Sequence, residues 1–290
     1  MNSESISDDY RRIGERLAAL QGRPGISGLY LPTPVSDETF RDEFGFVFLK
    51  DGSVGPFYVS MEDILVRLWR HFPKPAQSKP DAMNLLRGFD GTDLAGRALA
   101  LGVYNALSAW LYKATGFEPP DRGANSGLSD NPTGRKVGMV GYFCPLVEKL
   151  TAQGCEVLVL ERAPERVTVA QHVSVTGDPR DLRDCAGVLC TASTLINDSL
   201  EEILATAGRE NVIELIGPSG SGLPDPLLAR GVNSIGGVSF GDRQQLMAHL
   251  QRGESWGAAG RKYQIDAASY PGLEGLLAKL TDGHTDTGES

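Results

Sequence analysis

The sequence predicts an α/β protein in two parts: a doubly wound parallel sheet in the C-terminal part, preceded by a smaller α+β domain. Three observations carry this. From residue 136 onward, short apolar runs alternate with helical stretches: "KVGMVGY", "CPLVEKLTAQG", "EVLVLER", "GVLCTAS", "DSLEEILATAG", "NVIELIGP", "DPLLARG", "SIGGVSF", "DRQQLMAHLQRG". The apolar runs do not alternate polar with apolar, as expected of parallel strands covered on both faces. Finally, the stretch near residues 119–135, "PPDRGANSGLSDNPTG", is rich in Pro, Gly, Ser, Asn and Asp and reads as a linker. Domains are therefore expected over residues 1–125 and 126–280, with a disordered polar tail over 281–290.

The first part opens on a helix, because Ile6, Tyr10, Ile13, Leu17 and Leu20 recur at steps of three or four. Extended segments follow: "SGLYLPTP", then "FGFVFLK" and "DGSVGPFYVS", with Asp51-Gly52 as a hairpin turn. Ser60 is expected to cap the helix "MEDILVRLWRHF", which Pro73 ends. A long helix then covers "GTDLAGRALALGVYNALSAWLYKATG", with Gly116 near its C-cap. A last helix, "SYPGLEGLLAKLTDG", closes the chain.

Composition narrows the function classes. The 290 residues carry a formal net charge of −9. That balance disfavours nucleic acid and anionic membrane surfaces as partners. No apolar run is long enough to span a bilayer, and the N-terminus lacks a signal-peptide pattern, so a cytoplasmic location is expected. Cys144, Cys155, Cys185 and Cys190 lack zinc-site spacing and read as free thiols. The four histidines are scattered, without H-x-x-x-H or H-E-x-x-H. A homodimer is the default assembly.

In a doubly wound sheet, ligands bind beyond the carboxyl ends of the strands, so the residues just after each strand matter most. The first strand leads into Gly138-x-x-Gly141-Tyr142-Phe143-Cys144-Pro145, where glycine lets backbone approach a ligand and a helix N-terminus follows. The dinucleotide fingerprint G-x-G-x-x-G is absent. Glu161 and Arg162 follow the second strand. Glu161 lies 20 residues beyond Gly141, the spacing of a ribose-binding acid; a solvated strand-end glutamate is the equal alternative. The segment from Ala163 to Ala186 shows no clear motif.

Thr191, Thr194 and Asn197 follow the next strand, with more hydroxyl and amide groups than helix capping needs; Asp198-x-x-Glu201 resembles a capping box. The later Gly217-Pro-Ser-Gly-Ser-Gly222 opens like a P-loop, but Leu223 and Pro224 stand where Lys and Ser/Thr are required. An ATPase is thereby rejected. Gly217, Pro218 and Ser219 instead read as one wall of a cleft.

Together, "VGMVGYFCPLVEKL", "LVLER", "TASTLINDSLEEIL", "IGPSGSGLPDPLLARGVNSIGGV" and "GRALALGVYNAL" resemble the putative heavy-metal-chelation family, a bacterial and archaeal domain of unknown function. The resemblance spans most of residues 95–255. It implies a Rossmann-like C-terminal domain, an N-terminal domain similar to that of enolase, and a ligand site between them. It adds Asn105 to Tyr142, Phe143, Glu161, Thr191–Asn197 and Gly217–Ser219 as lining. Cys144 departs from the small or apolar residue expected there. The implied function is binding, making or processing an organic metal chelator, with a small-molecule ligand or metal chelate as partner. The alternatives are an enzyme dependent on NAD(P) or S-adenosylmethionine and a non-catalytic sensor of a ligand or metal complex.

Overall fold

Ser5 starts the first helix, α1 (Ile6–Ala18), through a reciprocal capping box: its hydroxyl accepts from Asp8 N–H and its own N–H donates to the Asp8 carboxylate. The computed structural model describes residues 4–34, 43–121, 134–208 and 211–285. Ile6, Tyr10, Ile13 and Leu17 form the buried stripe of α1, as their spacing predicts. Three antiparallel strands follow, β1 (Ile26–Tyr30), β2 (Phe44–Leu49) and β3 (Val54–Tyr58), in the order β1-β2-β3 with the turn at Asp51-Gly52.

Helix α2 (Ile64–His71) begins later than expected and has no side-chain cap; Ser60 instead accepts from Glu43 N–H at 2.8 Å. After α3 (Ala82–Leu86) comes α4 (Leu94–Ala114), capped by the Asp93 carboxylate on Ala95 and Gly96 N–H. It is buried almost all round, which is the signature of a central helix. Strand β3 crosses it so closely that a Cβ at Gly55 would lie 2.0 Å from Gly102 O.

The C-terminal part is a seven-stranded sheet in the order β10-β9-β8-β7-β4-β5-β6. Its elements in chain order are β4 (Lys136–Val140), α5 (Cys144–Ala152), β5 (Glu156–Leu160), β6 (Val173–Thr176), β7 (Gly187–Thr191), α6 (Leu200–Ala207), β8 (Val212–Ile216), α7 (Asp225–Leu228), β9 (Ser234–Ser239), α8 (Arg243–Gln251), β10 (Arg261–Asp266) and α9 (Gly272–Thr285). Every pairing is parallel except β10 on β9. The order reverses between β4 and β7, and that reversal is the switch point of a doubly wound sheet.

Three details differ from the sequence reading. Strand β6 lies in the segment without a motif, and only a single 3₁₀ turn, Pro164–Arg166, precedes it. Strand β10, "RKYQID", is an edge strand whose alternation buries Tyr263 and Ile265. Helix α9 runs to Thr285, into the stretch expected to be a disordered tail; residues 286–290 lie outside the described ones. The expected linker falls mostly on residues 122–133, also outside the described ones. Among the described residues, no helix is long and apolar enough to cross a membrane.

One hydrophobic core joins both parts. It runs from α1, the inner face of the small sheet and α4 into one face of the large sheet, α6 and α9. Helix α5 packs on the opposite face of the large sheet. The outer face of the small sheet, with Phe46, Phe48 and Val54, packs on Leu246 of α8 and beside Phe240 and Trp256. Sequence-remote segments thus cover both sides of a three-stranded sheet that would be marginal alone.

Candidate functional site

Among the described residues, the carboxyl edge of the large sheet has a closed half and an open half. The closed half lies over β7, β8 and β9, where the N-terminal part sits on it. Ser219, 1% exposed, accepts Tyr58 N–H through its hydroxyl at 3.0 Å. Asn105, also 1% exposed, donates through Nδ2 to Pro56 O at 2.8 Å and Ser219 O at 3.0 Å, joining β3 to the loop after β8. Among the described residues its Oδ1 has no partner, and it lies where a Cβ on Gly222 would be 2.7 Å away. The Ser221 hydroxyl donates to Pro218 O and accepts Val238 N–H.

Three further carbonyls of this loop are taken by tyrosines. Tyr263 donates to Ser221 O, Tyr112 to Gly222 O and Tyr104 to Leu223 O, while Ser108 accepts Leu223 N–H. Burial raises the pKa of all three tyrosines, so each stays a donor. The P-loop-like stretch is therefore a hydrogen-bonded joint, with both of its serine hydroxyls and the carbonyls of Ser219, Ser221 and Gly222 bonded inside the protein.

The segment after β7 is partly closed in the same way. Thr194, 2% exposed, donates to Thr191 O at 2.6 Å. Asn197 accepts from Ser199 N–H and its hydroxyl through Oδ1. The expected capping box at Asp198 and Glu201 is replaced by contacts to α1 and α4, because the N-terminal part competes for both carboxylates. Ser199 precedes α6 without a side-chain cap. Asp198 pairs with Arg97 at 2.6 Å and accepts from Ser7, and Glu201 accepts Ile6 N–H at the start of α1. Arg97, 6% exposed, also donates to Ile196 O and Ser7. This residue was missed in the sequence; its one signal was a lone arginine within the apolar run of α4.

The open half lies over β4 and β5. Gly141 has φ 78°, a left-handed conformation that glycine tolerates. A Cβ there would meet Thr191 Cγ2 at 3.1 Å, so the loops after β4 and β7 touch at the switch point. Gly141 N–H donates to Leu160 O at 3.0 Å, which sets Glu161 beside it. Glu161 is half-buried and accepts Ala163 N–H at 3.1 Å; Arg162 is exposed. Tyr142 and Phe143 are half-buried against the α5 face of the sheet. The Thr191 and Ser193 hydroxyls lie 3.0 Å apart.

The structure thus divides the expected lining. Gly141, Tyr142, Phe143, Glu161, Arg162 and Thr191 lie on the open half, whereas Asn105 and Ser219 are packing groups beneath the N-terminal part and Thr194 is buried against its own segment. Gly217 and Pro218 belong to the same joint as Ser219.

Cys144 is exposed at the start of α5, its Sγ 3.4 Å from Glu148 Oε1. The other three cysteines are buried, and burial pushes the Cys190 thiol up to about 12. Among the described residues, no group of three or more His, Cys, Asp and Glu could hold a metal ion.

Residues 126–268 match the family model DUF364, described as putative heavy-metal chelation. An uncharacterized protein of Methanocaldococcus jannaschii is 24% identical over 181 residues, spanning 61% of this chain and 68% of that one. Two solved structures share the fold, both of DUF364 proteins of unknown function. The one from Pyrococcus horikoshii has a TM-score of 0.67 and 18% identity, covering 90% of this chain and 100% of its own. The one from Desulfitobacterium hafniense has a TM-score of 0.62 and 17% identity, covering 89% and 98%.

Proposed function

We propose that this chain, whose residues 126–268 match the model of the putative heavy-metal-chelation family, binds a small organic metal chelator, or the metal complex of one, on the open half of the carboxyl edge. The supporting observation is the contact of Gly141 with Thr191 at the switch point, beside Glu161 and Arg162. Ligands of doubly wound sheets sit at that place. A carboxylate, a guanidinium, hydroxyls and two aromatic rings suit a polar organic molecule. A chelate brings its own metal ligands, which fits a site whose residues lack a cluster of donors.

Native mass spectrometry of the protein purified from its own cells, with metal analysis, tests this reading. The expected result is an organic mass, with or without a metal, that is lost in both Thr191→Val and Arg162→Ala while both variants stay folded, Thr191→Val giving up only its cap on Ser193 N–H. Retention in both variants, or a metal held without any organic mass, would overturn it.

A further inference from the structure

Resting on the reading that the open half holds the ligand, we infer that this edge takes a ribonucleoside without a diphosphate, held by its 2′,3′-diol on Glu161. Strand β5 lies next to β4, the strand at which the sheet order reverses. Val140 and Leu160 are in register, so Glu161 stands level with Gly141 at the mouth of the switch point.

One Glu161 oxygen is anchored by Ala163 N–H, and the other has no hydrogen bond among the described residues. A carboxylate only accepts hydrogen bonds, and two neighbouring hydroxyls offer two donors at the matching spacing. Tyr142 and Phe143, at the same rim, are packed against the α5 face of the sheet but only half-buried, so each keeps exposed ring surface beside Gly141 that a base can meet.

The neighbouring helix end excludes the diphosphate. A dinucleotide site uses free N–H groups in the first helical turn. In α5, Pro145 has no N–H. Leu146 and Val147 N–H both donate to Phe143 O, at 2.9 and 3.0 Å. Only Cys144 N–H remains of the usual set, and the residues after Gly141 are Tyr142 and Phe143 rather than a glycine-rich turn. The edge therefore keeps the diol acceptor of a nucleotide site and lacks its phosphate cradle.

Isothermal titration of the full chain with adenosine, 2′-deoxyadenosine and ADP tests the inference. Adenosine is expected to bind. Removing the 2′-hydroxyl, or replacing Glu161→Gln, should each weaken binding about tenfold or more, and ADP should bind no tighter than adenosine. Gln keeps an acceptor for Ala163 N–H, so the variant should melt like the parent; Glu161→Asp should recover part of the affinity.

No adenosine binding, affinity indifferent to both changes, or ADP binding more than about tenfold tighter would overturn the inference. A co-purifying organic ligand that depends on Thr191 and Arg162 but that adenosine does not displace would overturn the ribonucleoside while leaving the open edge as the site.

Discussion

The loop after β8 and the loops after β4 and β5 leave the same sheet edge with similar residues: glycine beside serine, or glycine beside tyrosine and glutamate. Their fates differ. After β8, Ser219, Ser221 and the carbonyls of Ser219, Ser221, Gly222 and Leu223 all bond to protein groups. After β4 and β5, Glu161, Arg162 and Tyr142 stay half-buried or exposed. What separates the two regions, among the described residues, is the N-terminal part lying over one and not the other. Polar residues in a loop after a strand are thus equally good material for a joint or for a ligand site.

Tests of the difference begin with the joint. A Cβ at Gly55 would fall 2.0 Å from Gly102 O and 2.3 Å from Ala106 N, both backbone atoms that cannot turn aside. Gly55→Ala should cost upwards of about 3 kcal/mol, a large share of the stability of an ordinary domain. Urea denaturation or the yield of folded protein measures it; a parent-like midpoint would mean that β3 and α4 do not pack this closely.

Asn105→Ala comes next. It strips the donor from two buried carbonyls, Pro56 O and Ser219 O, and should cost about 2–4 kcal/mol. Its midpoint in urea should drop with the slope unchanged. Little loss of stability, with loss of the co-purified ligand, would move Asn105 from the joint to the site.

Asp9→Asn probes the seam between α1 and the C-terminal part. Burial alone would raise the Asp9 carboxyl; hydrogen bonds from Arg12 and Arg230 outweigh it and hold the group below its ordinary value. A depressed carboxyl adds stability above its unfolded pKa of about 4 and loses it as pH falls through the folded value. The variant should cost about 1–2 kcal/mol at neutral pH. Its deficit should close as pH falls through the folded value, as read from melting curves across pH. A constant deficit would assign the effect to packing.

At the open edge, Glu161→Gln and Arg162→Ala should change stability by no more than about 0.5 kcal/mol, although both remove charge from the proposed site. The smallest effect is chemical. Under native conditions a thiol reagent should modify Cys144 quickly and Cys190 only after unfolding, because the latter is buried with its thiol pushed up to about 12. Fast labelling of Cys190 by mass spectrometry would show that the β7 end opens readily.

Much of the fold was legible in the sequence, for identifiable reasons. Uninterrupted apolar runs such as "KVGMV" and "GVLCT" mark strands buried on both faces, and the helices between them carry their own stop signals. Strand β6 escaped because it is a short edge strand with polar neighbours, and β10 because its alternation belongs to an antiparallel edge rather than to the parallel pattern around it. The open-edge residues stand out by position after a strand. Asn105 and Ser219 stand out too, but their hydrogen bonds across the joint are not legible, since nothing local distinguishes a polar group that meets a ligand from one that meets a carbonyl 114 residues away. Asp198 and Glu201 looked like a local cap and instead hold Arg97 and the start of α1.

The sequence by itself determined the two-part architecture, the parallel sheet and the loops that emerge from its carboxyl edge. These follow from side-chain periodicity and turn chemistry, which act over a few residues. Only the tertiary structure decided which of those loops is covered. That depends on α4 and β3 docking over β7–β9, a long-range packing event driven by a shared apolar core. The P-loop-like "GPSGSG" became a joint because Tyr104, Asn105, Ser108, Tyr112 and Tyr263 reach it before any ligand can.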